Sequence, residues 1–156
     1  MRVVLDIDLC IECHACAAAC YYHHNHMPIV NFGGYDTVVL PVVCRQCEAP
    51  ACVDACPNGA MHMDEFGVVS RALFRCTGCQ SCALACPFGV ITEHFQGRQI
   101  PKCDFCESRV LDGNEPWCVI SCSSGALRLL DPGSVEEMGL VLLGGRTAGF
   151  HPLGRR

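Results

Sequence analysis

The stretch that decides the fold is Cys76-Thr-Gly-Cys79-Gln-Ser-Cys82-Ala-Leu-Ala-Cys86-Pro87. Three cysteines two residues apart, a fourth after three more residues and then a proline form a run typical of [4Fe–4S] ligation. The first three cysteines should share one cluster. A helical turn after Cys82 would point Cys86 away from that cluster and towards another one, and Pro87 should end the turn because it has no N–H to continue it. This run alone therefore predicts a second cluster.

Three further groups of cysteines repeat the pattern with changes. The first group is Cys10, Cys13, Cys16 and Cys20, the second is Cys44, Cys47, Cys52 and Cys56, and the fourth is Cys103, Cys106, Cys118 and Cys122. Pro57 closes the second group, but Tyr21 and Ser123 stand at the corresponding places in the first and fourth. The alanine run before Cys20 favours a helix that continues past this point. In the fourth group, turn formers from Asp112 to Trp117 are expected to loop out and return the chain.

The composition favours a metal protein over a disulfide-linked one. Sixteen cysteines in 156 residues occur in repeated C-x-x-C groups, and the N-terminus lacks the pattern of a signal peptide. We therefore expect a cytoplasmic protein with reduced thiols. The longest apolar run, Gly139 to Gly145, is far shorter than the roughly 18 residues that span a bilayer.

The charge of the chain disfavours a nucleic-acid partner. The formal net charge of −5 counts every cysteine as neutral. Each oxidised [4Fe–4S] core with four thiolates carries −2, so four clusters would bring the total to about −13, opposite to the basic footprint that phosphates require. Five basic residues near the cysteine groups could either offset cluster charge or be solvated: Arg45, Arg71, Arg75, Lys102 and Arg109.

Short strands are predicted between the cysteine groups. Single strands are expected at Arg2–Asp6, Thr37–Val43 and Ala126–Leu130, the last closed by Asp131-Pro-Gly133. Hairpins are expected from Ala60–Met63 to Val68–Ser70 and from Val90–Thr92 to Arg98–Ile100. The pair Gly33-Gly34 is interpreted as a breaker.

Two segments lie outside the cysteine pattern. The patch of His23, His24 and His26 could suggest a metal, but the cysteines already complete every cluster, so we interpret the patch as polar loop residues. Residues 134–156 carry an apolar segment from Leu140 to Leu143. It could cover the chain's own body, or it could contact a neighbouring chain, either a catalytic subunit or another copy of this protein; we favour the neighbouring chain.

The fourfold repeat predicts an α+β fold built from two ferredoxin-like modules with pseudo-symmetry. Groups two and three form one module at residues 38–96, inserted in a second module formed by groups one and four at residues 1–37 and 97–133. Short strands and helices would surround four clusters, which themselves form most of the core. Residues 134–156 are then a C-terminal extension.

The order and spacing of all four groups resemble the four-cluster electron-transfer subunits of the dimethyl sulfoxide reductase type, over residues 1 to about 132. Lys102-Cys-Asp-Phe-Cys106, and Cys118-x-x-x-Cys122 followed by Gly125-Ala126-Leu127, are particularly similar to that family's fourth motif. The resemblance implies that fourth cysteines cross between groups. The implied ligand sets are Cys44, Cys47, Cys52 with Cys86; Cys76, Cys79, Cys82 with Cys56; Cys10, Cys13, Cys16 with Cys122; and Cys103, Cys106, Cys118 with Cys20.

With every cysteine a ligand, no iron remains open to substrate, so the chain should transfer electrons and not act as an enzyme. The resemblance implies a catalytic partner of the molybdenum- or tungsten-pterin type, a hydrogenase or a carbon monoxide dehydrogenase, with a tungsten aldehyde oxidoreductase as the favoured guess. A free polyferredoxin is the alternative. A zinc-binding interaction module is a further one, although zinc sites use cysteine pairs and do not need crossed fourth ligands.

Overall fold

The structure is a computed structural model that describes residues 1–27, 29–35, 38–92 and 100–138. Its elements in chain order are β1 (Arg2–Leu5), α1 (Ala15–His23), β2 (Asn31–Tyr35), β3 (Val38–Val42), α2 (Ala51–Asp54), β4 (Met61–Met63), β5 (Val69–Arg71), a 3-10 turn (Leu73–Arg75), α3 (Ser81–Ala85), α4 (Glu107–Leu111), α5 (Trp117–Ile120), β6 (Leu127–Leu130) and α6 (Pro132–Glu137). This mixture of short helices and short strands confirms the α+β class. The nested, pseudo-symmetric arrangement of two modules stays a prediction.

The strands in the described residues form three two-stranded antiparallel sheets. β1 pairs with β6, so that Arg2 lies opposite Leu130 and Leu5 opposite Leu127. β4 and β5 form the expected hairpin, with Met61 opposite Arg71. The predicted strands before the first and second cysteine groups, and the one after the fourth, are therefore present within a residue or two of their expected ends.

The third sheet corrects the interpretation of Gly33-Gly34. These glycines do not break the chain; they lie in β2, where Gly33 is opposite Leu40 and Gly34 opposite Val39 in β3. A glycine weakens a strand, but a backbone hydrogen-bonded to an antiparallel partner can still accommodate it.

The helices follow the cysteine groups. α1 passes Cys20 and ends at His23, as the alanine run and the absence of a proline at Tyr21 predicted. α3 ends at Ala85, one residue before Cys86, as expected from Pro87. Two helices were missed: α4 occupies part of the gap after Cys106, and α6 begins at Pro132 where only a strand end was expected. A proline suits the first turn of a helix, where its missing N–H costs nothing.

The interior contains two small apolar clusters, each built around cysteines, so the core is more than the predicted metal sites. The first cluster consists of Cys16, Cys20, Ile29, Val30, Val43, Cys118, Val119 and Leu127. The second consists of Met61, Val69, Cys82, Ile91 and Ile100. The first draws mainly on the two ends of the described chain and the second on its middle.

Some expectations fall outside the described residues. The hairpin predicted between Val90 and Ile100 includes residues 93–99, and the extension from residue 139 onward is likewise outside. At the start of that extension, Val135 in α6 is fully buried.

No helix of the described residues has the length and apolar character needed to cross a membrane.

Candidate metal centres

One cavity is lined by four cysteines from two different groups. Cys76, Cys79 and Cys82 come from the loop that leads into α3, and Cys56 comes from the end of the second group. The helix that precedes Cys56, α2, packs against α3. The structure thus brings a fourth cysteine from another group to the three that are closely spaced in sequence.

A second cavity has the reciprocal composition. It is lined by Cys44, Cys47 and Cys52 together with Cys86. Cys86 has left the helical conformation, with φ −73° and ψ 111°, directly after α3. The end of the helix therefore separates Cys86 from the first three cysteines of its own run, and these two cavities hold the same two sets that the family resemblance implied.

Most of the remaining eight cysteines lie around α1 and α5, which pack against each other. Cys16, Cys20 and Cys118 are buried in the first apolar cluster, with Cys103 and Cys122 packed against it. Burial raises the pKa of the Cys16 thiol, and among the neighbouring thiols Cys122 and Cys13 raise it further. Burial likewise raises the pKa of Cys20, and the neighbour that adds most is Cys106. The thiol neighbours with the largest effect pair Cys16 with Cys122 and Cys20 with Cys106, and Cys16 also lies near Cys20.

The same backbone turn precedes the second cysteine of every group. The residue before that cysteine has a positive φ in all four: Glu12 (55°), Gln46 (47°), Gly78 (72°) and Phe105 (62°). Only one of these residues is the glycine that suits this left-handed conformation. An L residue held there costs about 1–2 kcal/mol, so three groups adopt the turn against local preference. The four groups therefore share a backbone conformation that their residue types do not indicate.

A second repeated turn follows the fourth cysteine in three groups. Gly59, Gly89 and Gly125 each lie three residues after it, have φ of 56°, 60° and 67°, and donate their N–H to its carbonyl oxygen. Gly125 is present although Ser123 replaces the proline. This glycine, more than the proline, therefore marks the turn in group four.

These turns direct backbone N–H groups at cysteine sulfur atoms. The Ala60 N–H lies 3.2 Å from Cys56 Sγ, and the Leu127 N–H lies 3.3 Å from Cys122 Sγ. Burial tends to raise the pKa of both thiols, but backbone donors, led by Met61 at Cys56 and Leu127 at Cys122, bring each pKa below its usual range. Donors of this kind stabilise sulfur as a thiolate, the form that binds metal.

Burial has the opposite effect at other thiols, both fully and partly buried ones. Burial raises the pKa of Cys118 to about 12, with Cys106 and Cys20 adding to it, and raises the pKa of Cys52 to about 11 against the opposing charge of Lys102. Thiolates gathered in this way repel one another unless a metal cation lies among them, and a metal-bound thiol is deprotonated outright. Sets of four cysteines fit a [4Fe–4S] cluster, which is held by four thiolates.

Of the five basic residues singled out from the sequence, two reach a cysteine sulfur. Lys102 Nζ lies 3.3 Å from Cys44 Sγ, and an Arg71 guanidinium nitrogen lies 3.9 Å from Cys76 Sγ. The other three, Arg45, Arg75 and Arg109, lie over the rings of Phe88, Phe74 and Trp117.

The histidine patch has more structure than a polar loop. His23 stacks on Trp117 with ring centroids 3.6 Å apart. His24 places Nε2 3.4 Å from Cys106 Sγ and Nδ1 3.8 Å from an Asp104 carboxylate oxygen. His26 packs against Tyr21 and Tyr22. Nothing in the local spacing indicated that α1 would bring His24 to a cysteine more than eighty residues away.

The sequence pattern also assigned no role to Gln46, which is 3% exposed. Its side chain accepts a hydrogen bond from Val69 N (2.7 Å) and donates one to Cys103 O (3.2 Å). A glutamine between two cysteines of one group thus contacts the backbone of another group.

Comparison with known proteins agrees with this chemistry. A family model described as a 4Fe-4S dicluster domain matches residues 35–132, and a 4Fe-4S binding domain matches residues 7–22. The protein is 35% identical over 153 residues to a chain of the anaerobic dimethyl sulfoxide reductase of Escherichia coli, covering 86% of this protein and 73% of that chain. It is 29% identical over 159 residues to a subunit of the sulfite dehydrogenase of Allochromatium vinosum, covering 81% and 66%. It is 31% identical over 163 residues to the electron transport protein HydN of Escherichia coli, covering 87% and 91%.

Proposed function

The chain belongs to the 4Fe-4S dicluster family, and from this premise we propose that it is an electron-transfer subunit that carries four [4Fe–4S] clusters. It passes single electrons between a catalytic oxidoreductase subunit and a second redox partner. The three relatives compared above are named as a chain of a reductase, a subunit of a dehydrogenase and an electron transport protein. No bond of an organic substrate is made or broken on this chain.

The observation that carries the proposal is the reciprocal exchange of fourth cysteines between two cavities. Cys86 lines the cavity of the second group and Cys56 lines the cavity of the third. This exchange is the ligand pattern of two-cluster iron–sulfur proteins. A zinc module would need only local pairs, and nothing in zinc coordination requires two groups to exchange a ligand.

The count of four clusters extends this pattern to the outer cysteines. The resemblance gives one set of Cys10, Cys13, Cys16 and Cys122 and another of Cys103, Cys106, Cys118 and Cys20. Electrostatic neighbours support part of each set, since Cys16 lies near Cys13 and Cys122, and Cys118 lies near Cys106, Cys20 and Cys103. The protein's part in each site is to hold four sulfur atoms, supply N–H donors to them and limit solvent access, all of which tune the reduction potential.

The partner we favour is a catalytic subunit of the molybdenum- or tungsten-pterin type. Support comes from the resemblance of the four motifs and from relatives whose names describe them as one chain or subunit of an oxidoreductase. The alternative, a free polyferredoxin, is supported by the electron transport protein that the alignment covers almost completely. None of the sixteen cysteines, all of which lie in the described residues, forms a disulfide, which suits a reducing compartment such as the cytoplasm.

Two strongly exposed apolar side chains lie close in sequence to an exposed cysteine, which favours the subunit over the free protein. Cys79 is exposed, and in the same region of the chain Phe74 is 87% and Leu84 79% exposed. Exposed apolar side chains that form a contiguous patch are typical of a surface that a partner covers, and we propose that these two belong to such a patch. A partner seated there would also bring its own redox centre close to the Cys79 site.

The first test is metal content. Anaerobically purified protein should contain about 16 iron and 16 sulfide per chain and be brown. About eight iron per chain would refute the count of four, and stoichiometric zinc would refute the iron–sulfur assignment itself.

The second test concerns the partner. Native purification should recover a larger oxidoreductase subunit with the wild-type chain, and Phe74→Ser should reduce that recovery while iron content stays full. Phe66→Ser is the matched control, because Phe66 is 68% exposed but lies in the turn of the β4–β5 hairpin. Equal recovery with both variants would remove the argument for docking at Cys79, and recovery of the wild-type chain alone would favour the free polyferredoxin.

A further inference from the structure

Lys102 is the single lysine of the sequence and is almost completely buried, with 8% of its surface exposed. Its Nζ lies 2.6 Å from Val69 O, 2.6 Å from Cys103 O and 3.3 Å from Cys44 Sγ. An ammonium group has three N–H donors and no acceptor, so these three acceptors satisfy it completely. A buried charge is costly unless it is paired and hydrogen-bonded, and a position this well satisfied indicates a role for that charge.

The charge lies between two cysteine sets. Cys44 belongs to the set lining the second-group cavity, and Cys103 is the next residue in the chain after Lys102 and opens the fourth group. Burial raises the pKa of both Cys52 and Cys103, and the charge of Lys102 opposes the rise at both thiols. The lysine therefore favours negative charge on thiols of both cysteine sets.

Gln46 makes the reciprocal connection. It belongs to the second group, yet its side-chain amide donates to the same Cys103 carbonyl that accepts from Lys102, and it accepts from the N–H of Val69, whose carbonyl also accepts from Lys102. Two buried side chains, Gln46 from the second group and Lys102 from beside the fourth, thus bind the backbone of the same two residues, Val69 and Cys103. These hydrogen bonds hold the second and fourth groups at a fixed spacing.

We propose that Lys102 is a positioning residue that links the Cys44 site to the Cys103 site and stabilises an added electron at the Cys44 site. This inference rests on the proposed function. In the step that it assists, one site loses one electron as the other gains it, and no bond or proton is exchanged. The hydrogen bonds from Lys102 Nζ to Cys44 Sγ and to Cys103 O provide a short connection between the two sites, and the positive charge favours the more negative, reduced state next to it.

The test is a redox titration of the full-length holoprotein followed by electron paramagnetic resonance. Lys102→Gln keeps hydrogen-bonding capacity but removes the charge, whereas Lys102→Arg keeps the charge. Gln46→Leu removes the hydrogen bonds that the uncharged Gln46 side chain makes to Val69 and Cys103. The signal of the Cys44 site is identified as the one that Cys52→Ser changes. In Lys102→Gln with full iron content, we expect the equilibrium constant for reduction of that site to fall about tenfold, which is about 59 mV to more negative potential for one electron.

Lys102→Arg and Gln46→Leu should each shift that potential by much less. An unchanged potential in iron-replete Lys102→Gln would overturn the proposal, and so would an equal shift in Gln46→Leu, because a structural disturbance would then explain both. If Lys102→Gln loses iron, the comparison of the other two variants decides: a smaller shift in Lys102→Arg than in Gln46→Leu supports the role of the charge, and the reverse order overturns it. Iron missing from the wild-type chain would instead refute the proposed function.

Discussion

Replacing Gly125 by alanine should destabilise the holoprotein although the added methyl group has room. Nothing lies within 4 Å of the position that a Cβ would occupy, but φ is +67°. The cost is therefore that of an L residue in the left-handed conformation, about 1–2 kcal/mol. Gly125 closes the turn after Cys122, and the next turn of chain brings the Leu127 N–H to Cys122 Sγ. The strain thus falls on a predicted ligand.

The assay is an anaerobic thermal scan at one fixed heating rate, followed by the visible absorption of the bound clusters. For a chain of this length, 1–2 kcal/mol lowers the midpoint by about 2–8 °C. Gly133→Ala is the matched control, since Gly133 lies in α6 with equally open space and no positive φ. Alanine in a helix is more favourable than glycine by about 0.5–1 kcal/mol, so that variant should melt at the same temperature or higher. A fall in both variants, or no fall in Gly125→Ala, would refute this account of the turn.

Two further outcomes test the crossing of ligands and the absence of catalysis. Cys86→Ser should perturb the cluster held by Cys44, Cys47 and Cys52, because Cys86 lines their cavity; spectroscopy that showed only the Cys76 site altered would contradict this. The isolated chain should exchange electrons with viologen dyes and turn over no aldehyde or formate, because all sixteen cysteines are assigned as ligands and leave no open iron; steady turnover by the chain alone would disprove that expectation.

The sequence predicted best where a residue type has one strong local use. Cysteine spacing, the alanine run of α1 and the strand, turn, strand pattern of β4 and β5 led to the correct elements. Gly33-Gly34 misled because the same residue can break a strand or lie within one, and only the pairing of β2 with β3 decides which. α4 was missed because Glu107–Leu111 is short and the turn formers that follow it dominated the interpretation.

The cysteines that line the two cavities could be predicted from the sequence, but their surroundings were less predictable. The crossed sets could be expected from spacing and resemblance. By contrast, the left-handed conformation of Glu12, Gln46 and Phe105 has no signature in those side chains, since each adopts it under the constraint of the surrounding fold. The contact of His24 with Cys106 and the burial of Lys102 likewise depend on which distant segments meet. Local sequence preferences fail at these places because contacts between distant segments, and not the local backbone, determine the conformation.

Exposure and contacts together give an order to the four proposed sites. Cys13 and Cys79 are the exposed members of the sixteen, all of which lie in the described residues. On the proposed assignment, the Cys13 site shares the outer module with the Cys103 site, Lys102 joins the Cys103 site to the Cys44 site, and the Cys44 site exchanges fourth ligands with the Cys79 site. This order places an exposed cysteine at each end and Lys102, together with Gln46, at a junction between the two proposed modules. Electrons should therefore enter and leave at the Cys13 and Cys79 ends, and a change at Lys102 should slow transfer between the ends more than it slows reduction of either end by a dye.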